Sequence, residues 1–584
     1  MPKMPALWDA STRKETFDLL VALWPLLEDG DRDALVARIA AGPPAWSTDH
    51  LAAEDRDQLL ARRVFERLRI MERSDPGHPH AGLEAELARL LAMHPNWDIA
   101  PGEKAHFAIY SQSGWRMSDA TDDKQSLQIM TPAEIVEELG ADDREDTLDA
   151  WREMVASDWD KMQAVLQGAV ERYGLDAELW TTTLNGLRTR AASPTPGANV
   201  LALVASMDTA LALNAAVSAA AAYLLESAAS SPQFGSASHD DFWLAFDNIA
   251  LGVSLDDTNA RHPEEGDWVS LAINTSMGNL ALAFVNALFA KRLVVGGGMP
   301  NELAEWFVRL IGDGDPRHRP ARVVFASRLS YLFAIDPDLI RSYLLPSFRW
   351  GRDEVEALAV WQGFGWQPHI DPLLWPEIKT DLLECFTEDR VGQLGDMVGT
   401  LSQVLAAAGI HIGLDALPRQ STQAALRRMD SETRAGVLQW LAGALARVDD
   451  QASDPDRLWT DRVKPWIQKF WPRDPDARGS PEARPWVELA LATNDAFEDA
   501  VETVSPFIRR GENSFVLHEM AESPHVNTHP RAALKLMDAF LSRDAQFWSF
   551  EELRRLLDGV VAADTTLRTD PIFVQWNEFE RARA

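Results

Sequence analysis

The chain has little of several things that usually signal function, and each shortage excludes something. Only one of its 584 residues is cysteine, Cys385, so no intramolecular disulfide framework can form and a reducing, cytoplasmic compartment is expected. Basic residues are few: 56 Lys and Arg stand against 89 Asp and Glu, a formal net charge of −33. A chain that neutralises phosphates needs a basic face, so nucleic acid is not an expected partner. Acidity of this size serves solubility. Long apolar runs are missing too. None follows the basic residues of MPKMPALWDASTRKETF, so no signal peptide is expected. The most membrane-like segment, VLALVASMDTALALNAAVSAAAAYLL at 200–225, is broken by Asp208 and Asn214 and reads as buried helix rather than a membrane span. β-branched alternation is confined to RLVVGGG and ARVVF, which leaves no sheet to expect.

What is present is helix punctuation. Thr12 and Glu15 form a capping box ahead of FDLLVALWPLL, and Thr131-Pro132 with Glu134 does the same for AEIVEEL. Ser549 and Glu552 open ELRRLLDG, which is expected to close on Gly559. The fold class is therefore all-α. Asp336-Pro337 opens LIRSYLL, and Asp371-Pro372 returns after one interval of the length used by stacked helical hairpins, roughly 30–50 residues. An irregular α-solenoid of HEAT-like hairpins is the expected architecture. RTRAASPTPGANV at 188–200 and RDPDARGSPEARP at 473–485 read as breaks, dividing the chain into 1–190, 200–472 and 480–584.

The aromatic balance is unusual, with 22 tryptophans against 5 tyrosines. Four of the tryptophans fall in FRWGRDEVEALAVWQGFGWQPHIDPLLWPEIKTDLLECF, 348–386. Asp353 can cap a helix with Glu356 at its third position, Val355, Leu358 and Trp361 share one side, and Gly363 is the expected stop. A second helix begins near Pro376, with Ile378, Leu382, Cys385 and Phe386 on one buried stripe. That placement makes Cys385 a core residue rather than a nucleophile. Trp350 and Trp366 sit at helix ends beside Arg352 and Gln367, where exposure is expected. These four are the candidate partner-binding residues.

Catalysis has no anchor in the sequence. VVGGGMPNELAEW at 294–306 lacks the lysine and hydroxyl of a P-loop and the spacing of a dinucleotide fingerprint. His78-Pro79-His80, His239-Asp240-Asp241 and the HEM at 518–520 lack zinc spacing. The acidic runs EELGADDREDTLD and DDTNARHPEEGD read as solvated faces. No catalytic, cofactor-binding or metal-ligating residue is nominated, and no cofactor is expected.

Several segments nevertheless form a familiar pattern: LWPLLEDGDRDALVARIAAGPPAW, FAIYSQSGW, LQIMTPAEIVEEL, AVWQGFGWQPHIDPLLWPEIKTDLLECF, RVKPWIQKFWP and NSFVLHEMAESPHVNTHPRAALKLM. Together they resemble the long helical C-terminal region of bacterial sirtuin-domain proteins associated with anti-phage defence. The family's NAD-consuming part precedes that region and carries a glycine-rich loop and a catalytic histidine; neither fingerprint occurs here. The resemblance implies a non-enzymatic sensor or scaffold. Its partner would be a protein, an effector such as an NAD-consuming enzyme or a phage component, with self-association left open. Two alternatives stand beside it: an enzyme with a dispersed inter-domain site, such as a nucleotide-related hydrolase, and an antitoxin-like inhibitor of a partner enzyme.

Overall fold

The computed structural model describes residues 21–97 and 127–583, apart from positions 22, 28 and 96 and internal stretches of which 42–52, 447–453 and 543–549 are the longest. The chain forms two compact units, Met1–Ser118 and Asp119–Ala584. Among the described residues the regular elements are helical and no strand occurs. The fold is all-α, as the sequence indicated.

In the first unit, α1 (Asp29–Ala40), α2 (Ala53–Ser74) and α3 (Ala81–Met93) pack on one another. Their shared core includes Trp24, Ile39, Phe65, Leu68, Met71 and Leu87. Arg32 donates from Nε to the Trp24 carbonyl at 3.2 Å and lies 5.3 Å from its ring. His80, from the histidine pair considered above, caps α3 by accepting from the Leu83 N–H.

The second unit is built on a row of helices that pack in chain order. The row runs α4 (Glu145–Met154), α5 (Ala177–Ala191), α6 (Ala215–Ala229), α7 (Ser276–Lys291), α8 (Arg319–Ser327) and α9 (Glu354–Trp366). It continues through α10 (Met397–Ala407), α11 (Ser431–Ala446), α12 (Ser480–Leu491), α13 (Ser514–Glu522) and α14 (Glu551–Ala563). Each member packs on the next, and the intervening helices and turns flank the row. One buried apolar cluster extends from Leu127 to Trp576. The stretches read as breaks are helical at 194–200 and 480–485 and do not interrupt it.

Polar ties cross the row at separations of 31 to 41 residues. The Trp151 indole donates to Thr183 Oγ1, 32 positions on, and Trp350 to the Asp381 carbonyl, 31 on. Trp375 donates to the Ala416 carbonyl 41 positions on, and Trp459 to Asp499 Oδ2 40 on. Trp576 reaches back 38 positions to Asp538 Oδ1. Buried ion pairs span similar intervals: Arg322 on α8 meets Glu356 on α9, 34 positions away, and Arg434 on α11 meets Glu482 on α12, 48 away.

The N-terminal cap signals held where they could be checked. Thr131 and Glu134 form the expected capping box, and Asp353 accepts from the Glu356 N–H. Asp208 and Asn214, which interrupt 200–225, are the N-caps of successive helices. No helix among the described residues is long and apolar enough to cross a membrane. Thr12, Glu15 and Ser549 lie outside the described residues.

The two glycines expected to stop helices do not. α9 continues through Gly363 to Trp366, and α14 continues through Gly559 to Ala563. A Cβ at Gly363 would lie 2.3 Å from the Val323 carbonyl oxygen of α8, and one at Gly559 would lie 2.7 Å from Val526 Cγ1. Each glycine permits a close approach. The expected stripe also turns: Val355 is exposed, Leu358 half-buried and Trp361 enclosed. Gly363→Ala should therefore destabilise the protein by about 1–3 kcal/mol through overpacking. Gly392→Ala, at an exposed helical position with nothing within 4 Å, should be neutral or slightly stabilising. Equal melting of the two variants would show that α8 and α9 do not approach through Gly363.

Candidate functional site

The site is set by how α8 meets α9. The Glu356 carboxylate, 7% exposed, receives Arg319 Nε at 2.9 Å and a two-pronged contact from Arg322, Nε at 2.5 Å and a terminal nitrogen at 2.9 Å. Arg322 also donates to the carbonyls of Ile311 and Asp315, so its guanidinium is spent on four acceptor atoms. Arg319 lies 4.9 Å from the ring of Trp268, and the Trp268 N–H donates to Gln362 Oε1 of α9 at 2.9 Å. Gln362 thus ties the later part of α9 to Trp268, and the Glu356 bonds tie the N-terminal halves of the two helices. Their C-terminal ends then line a cleft of about 370 Å³.

One wall of the cleft is Ser327–Tyr331 with Ala334; the other is Phe364, Gln367, His369 and Asp371. The Ser330 hydroxyl donates to the His369 carbonyl and joins the walls. Arg328 stands out chemically. Its guanidinium carbon is 6.0 Å from the Trp366 ring, its Nε is enclosed without an acceptor, and among the described residues no carboxylate pairs with it. Burial lowers its pKa, with no opposing acidic neighbour. The Tyr331 hydroxyl is likewise enclosed without a hydrogen-bond partner, and burial raises its pKa. Leaving such groups unpaired costs about 1–3 kcal/mol each, more for a charge.

The four nominated residues separate. Gln367 is exposed and lines the cleft, and Trp366 is half-buried against Arg328. Arg352 is exposed in the turn before α9, away from the cleft lining. Trp350 corrects the expectation: it is 2% exposed, bonded to the Asp381 carbonyl at 3.0 Å and covered by the Arg390 guanidinium 4.2 Å from its ring. The covering arginine comes from the following unit, and flanking residues gave no sign of it. Sequence reasoning passed over Arg328, Tyr331 and His369, whose meeting depends on two segments distant in the chain.

The residues set aside as structural behave so. Cys385 is fully buried with Ile378, Leu382 and Phe386, its thiol reaches the Asp381 carbonyl at 3.7 Å, and burial raises its pKa well above the usual thiol value. The glycine loop is strapped to the chain beside the cleft. Gly296 and Gly298 donate to the carbonyls of Ala334 and Ile335, and the Met299 N–H donates to Asp336. Those amides are therefore occupied. The acidic run at 256–267 departs from the solvated face expected of it at Asp256, which is buried and accepts from the Ser276 hydroxyl at 2.8 Å, a tie at the start of α7. Among the described residues no three or more metal-ligating side chains converge.

No family model matches the chain. An uncharacterized protein of Sinorhizobium fredii, y4cA, is 24% identical over 314 residues, covering 51% of this chain and 25% of that protein. The chain thus matches about a quarter of that relative's length. A solved structure of an engineered protein aligns with 78% of this chain and 98% of its own at 15% identity, with a TM-score of 0.25, too low to bear on the fold.

The burial of Trp350 makes a direct prediction. Trp350→Ala and Trp361→Ala should both lower the melting temperature clearly, each costing about 3–5 kcal/mol. Trp350→Phe should keep most of the packing and lose about 1 kcal/mol with the indole bond to the Asp381 carbonyl. Melting of Trp350→Ala at the wild-type temperature would return that side chain to the surface.

Proposed function

We propose that the chain is a non-enzymatic helical-repeat scaffold or sensor, an irregular α-solenoid that holds or regulates a protein effector in bacterial anti-phage defence. The observation that carries this reading is the chain-ordered row of helices tied across 31 to 40 residues, since stacks of this kind present long surfaces that engage large partners and flex between units. The resemblance to the helical region of sirtuin-domain defence proteins supplies the class of partner, an NAD-consuming effector or a phage component. The match to part of a much longer protein supports a modular role beside further domains. The net charge of −33 favours a partner with a basic face.

The test is affinity purification of the full chain from its host with and without phage infection, followed by measurement of NAD turnover in what co-purifies. A co-purifying effector whose NAD turnover changes on infection is the expected outcome. Nucleotide hydrolysis by the purified chain alone, with no associated protein, would contradict the scaffold reading and support the dispersed-site enzyme.

A further inference from the structure

We propose that the cleft between Ser327–Ala334 and Phe364–Asp371 is a binding site for a small ligand carrying one oxyanion, a carboxylate or a phosphate monoester, on an apolar or aromatic body.

The charge argument comes first. In a chain of net charge −33, Arg328 is a half-buried cation in a cleft with no carboxylate paired to it. Its neighbours Arg319 and Arg322, a few residues earlier, each pair with Glu356, although Arg319 keeps one enclosed nitrogen without an acceptor; Arg328 has no such carboxylate among the described residues. The Trp366 ring lies beside the guanidinium, and the edge formed by a guanidinium's terminal nitrogens can give two parallel N–H···O bonds, the geometry a carboxylate or phosphate accepts. Other lining groups extend the match. Gln367 is exposed in the wall and free to donate, Tyr331 has an unpaired hydroxyl, and Leu329, Ala334 and Phe364 supply apolar surface. A volume of about 370 Å³ lies in the small-molecule range.

Asp371 narrows the class. It stands in the same lining, and its Oδ1 is held by the N–H groups of Leu373 at 2.8 Å and Leu374 at 3.0 Å. That fixed negative charge disfavours polyanions and suits a ligand with a single anionic group and a hydroxyl or amino donor. The chemistry of the cleft is independent of which protein the chain binds.

Calorimetric titration of the full chain with AMP, adenosine, 3-phenylpropionate and inorganic phosphate tests this, with Arg328→Gln, Tyr331→Phe and Gln367→Ala as variants. Saturable binding of AMP or phenylpropionate is expected, the tighter of the two identifying phosphate or carboxylate as the anion. Arg328→Gln should weaken it about ten- to hundredfold while circular dichroism shows the helical content retained. If Arg328→Gln does not fold, the other two variants decide, and each should weaken binding severalfold. The proposal is overturned if neither anion binds, if adenosine binds as well as AMP, or if the folded variants bind like wild type.

Discussion

A buried carboxylate is costly unless nearly every lone pair is met, and Glu356 is met by two arginines from the preceding row helix. Much of the central second unit follows from that bond set. Arg322 can reach Glu356 only if α8 and α9 lie close, and Gly363 permits that approach because a side chain there would strike the Val323 carbonyl. Arg319 brings in Trp268, and Gln362 receives the Trp268 N–H, so a third helix is drawn onto the pair. With one end of the pair locked, the other end is held open as a cleft whose guanidinium, Arg328, has no internal acceptor.

The same device recurs in altered form. Arg434 and Glu482 repeat the buried pair between α11 and α12, and burial raises the carboxyl pKa there while the arginine opposes it. Elsewhere the tie is an indole N–H. An indole has one donor and no acceptor, so one carbonyl or carboxylate satisfies it, whereas a phenol oxygen also accepts and needs a donor as well. Trp466 and Trp486 depart from the pattern. Their nitrogens are enclosed without acceptors, and they pack instead against Phe470, Trp471 and Phe507.

What could be read from the sequence was local. The caps at Thr131, Asp336 and Asp353 need only a side chain and an N–H two or three residues ahead, and Cys385 was placed in the core by the spacing of its own helix. What could not be read was set by residues a whole unit away. Gly363 looks like a stop until Val323 is beside it. Trp350, flanked by Arg349 and Arg352, looks exposed until Arg390 and Asp381 enclose it. Of the nominated positions only Gln367 lines the cleft and Trp366 lies beside its cation, because that cation, Arg328, follows α8 rather than belonging to the tryptophan-rich segment.

The central claim is that ion pairs between consecutive row helices lock them together, and a double-mutant cycle on Arg322 and Glu356 tests it most directly. Arg322→Met, Glu356→Leu and the double variant would be compared by equilibrium denaturation of the full chain. Glu356→Leu strands two buried guanidinium groups and should cost about 3–5 kcal/mol, Arg322→Met leaves Glu356 with Arg319 alone and should cost less, and the double variant should lose less than the sum, with a coupling of about 2 kcal/mol or more. Losses that simply add would mean that the two side chains do not act as a unit, and that α8 and α9 are held by apolar packing alone.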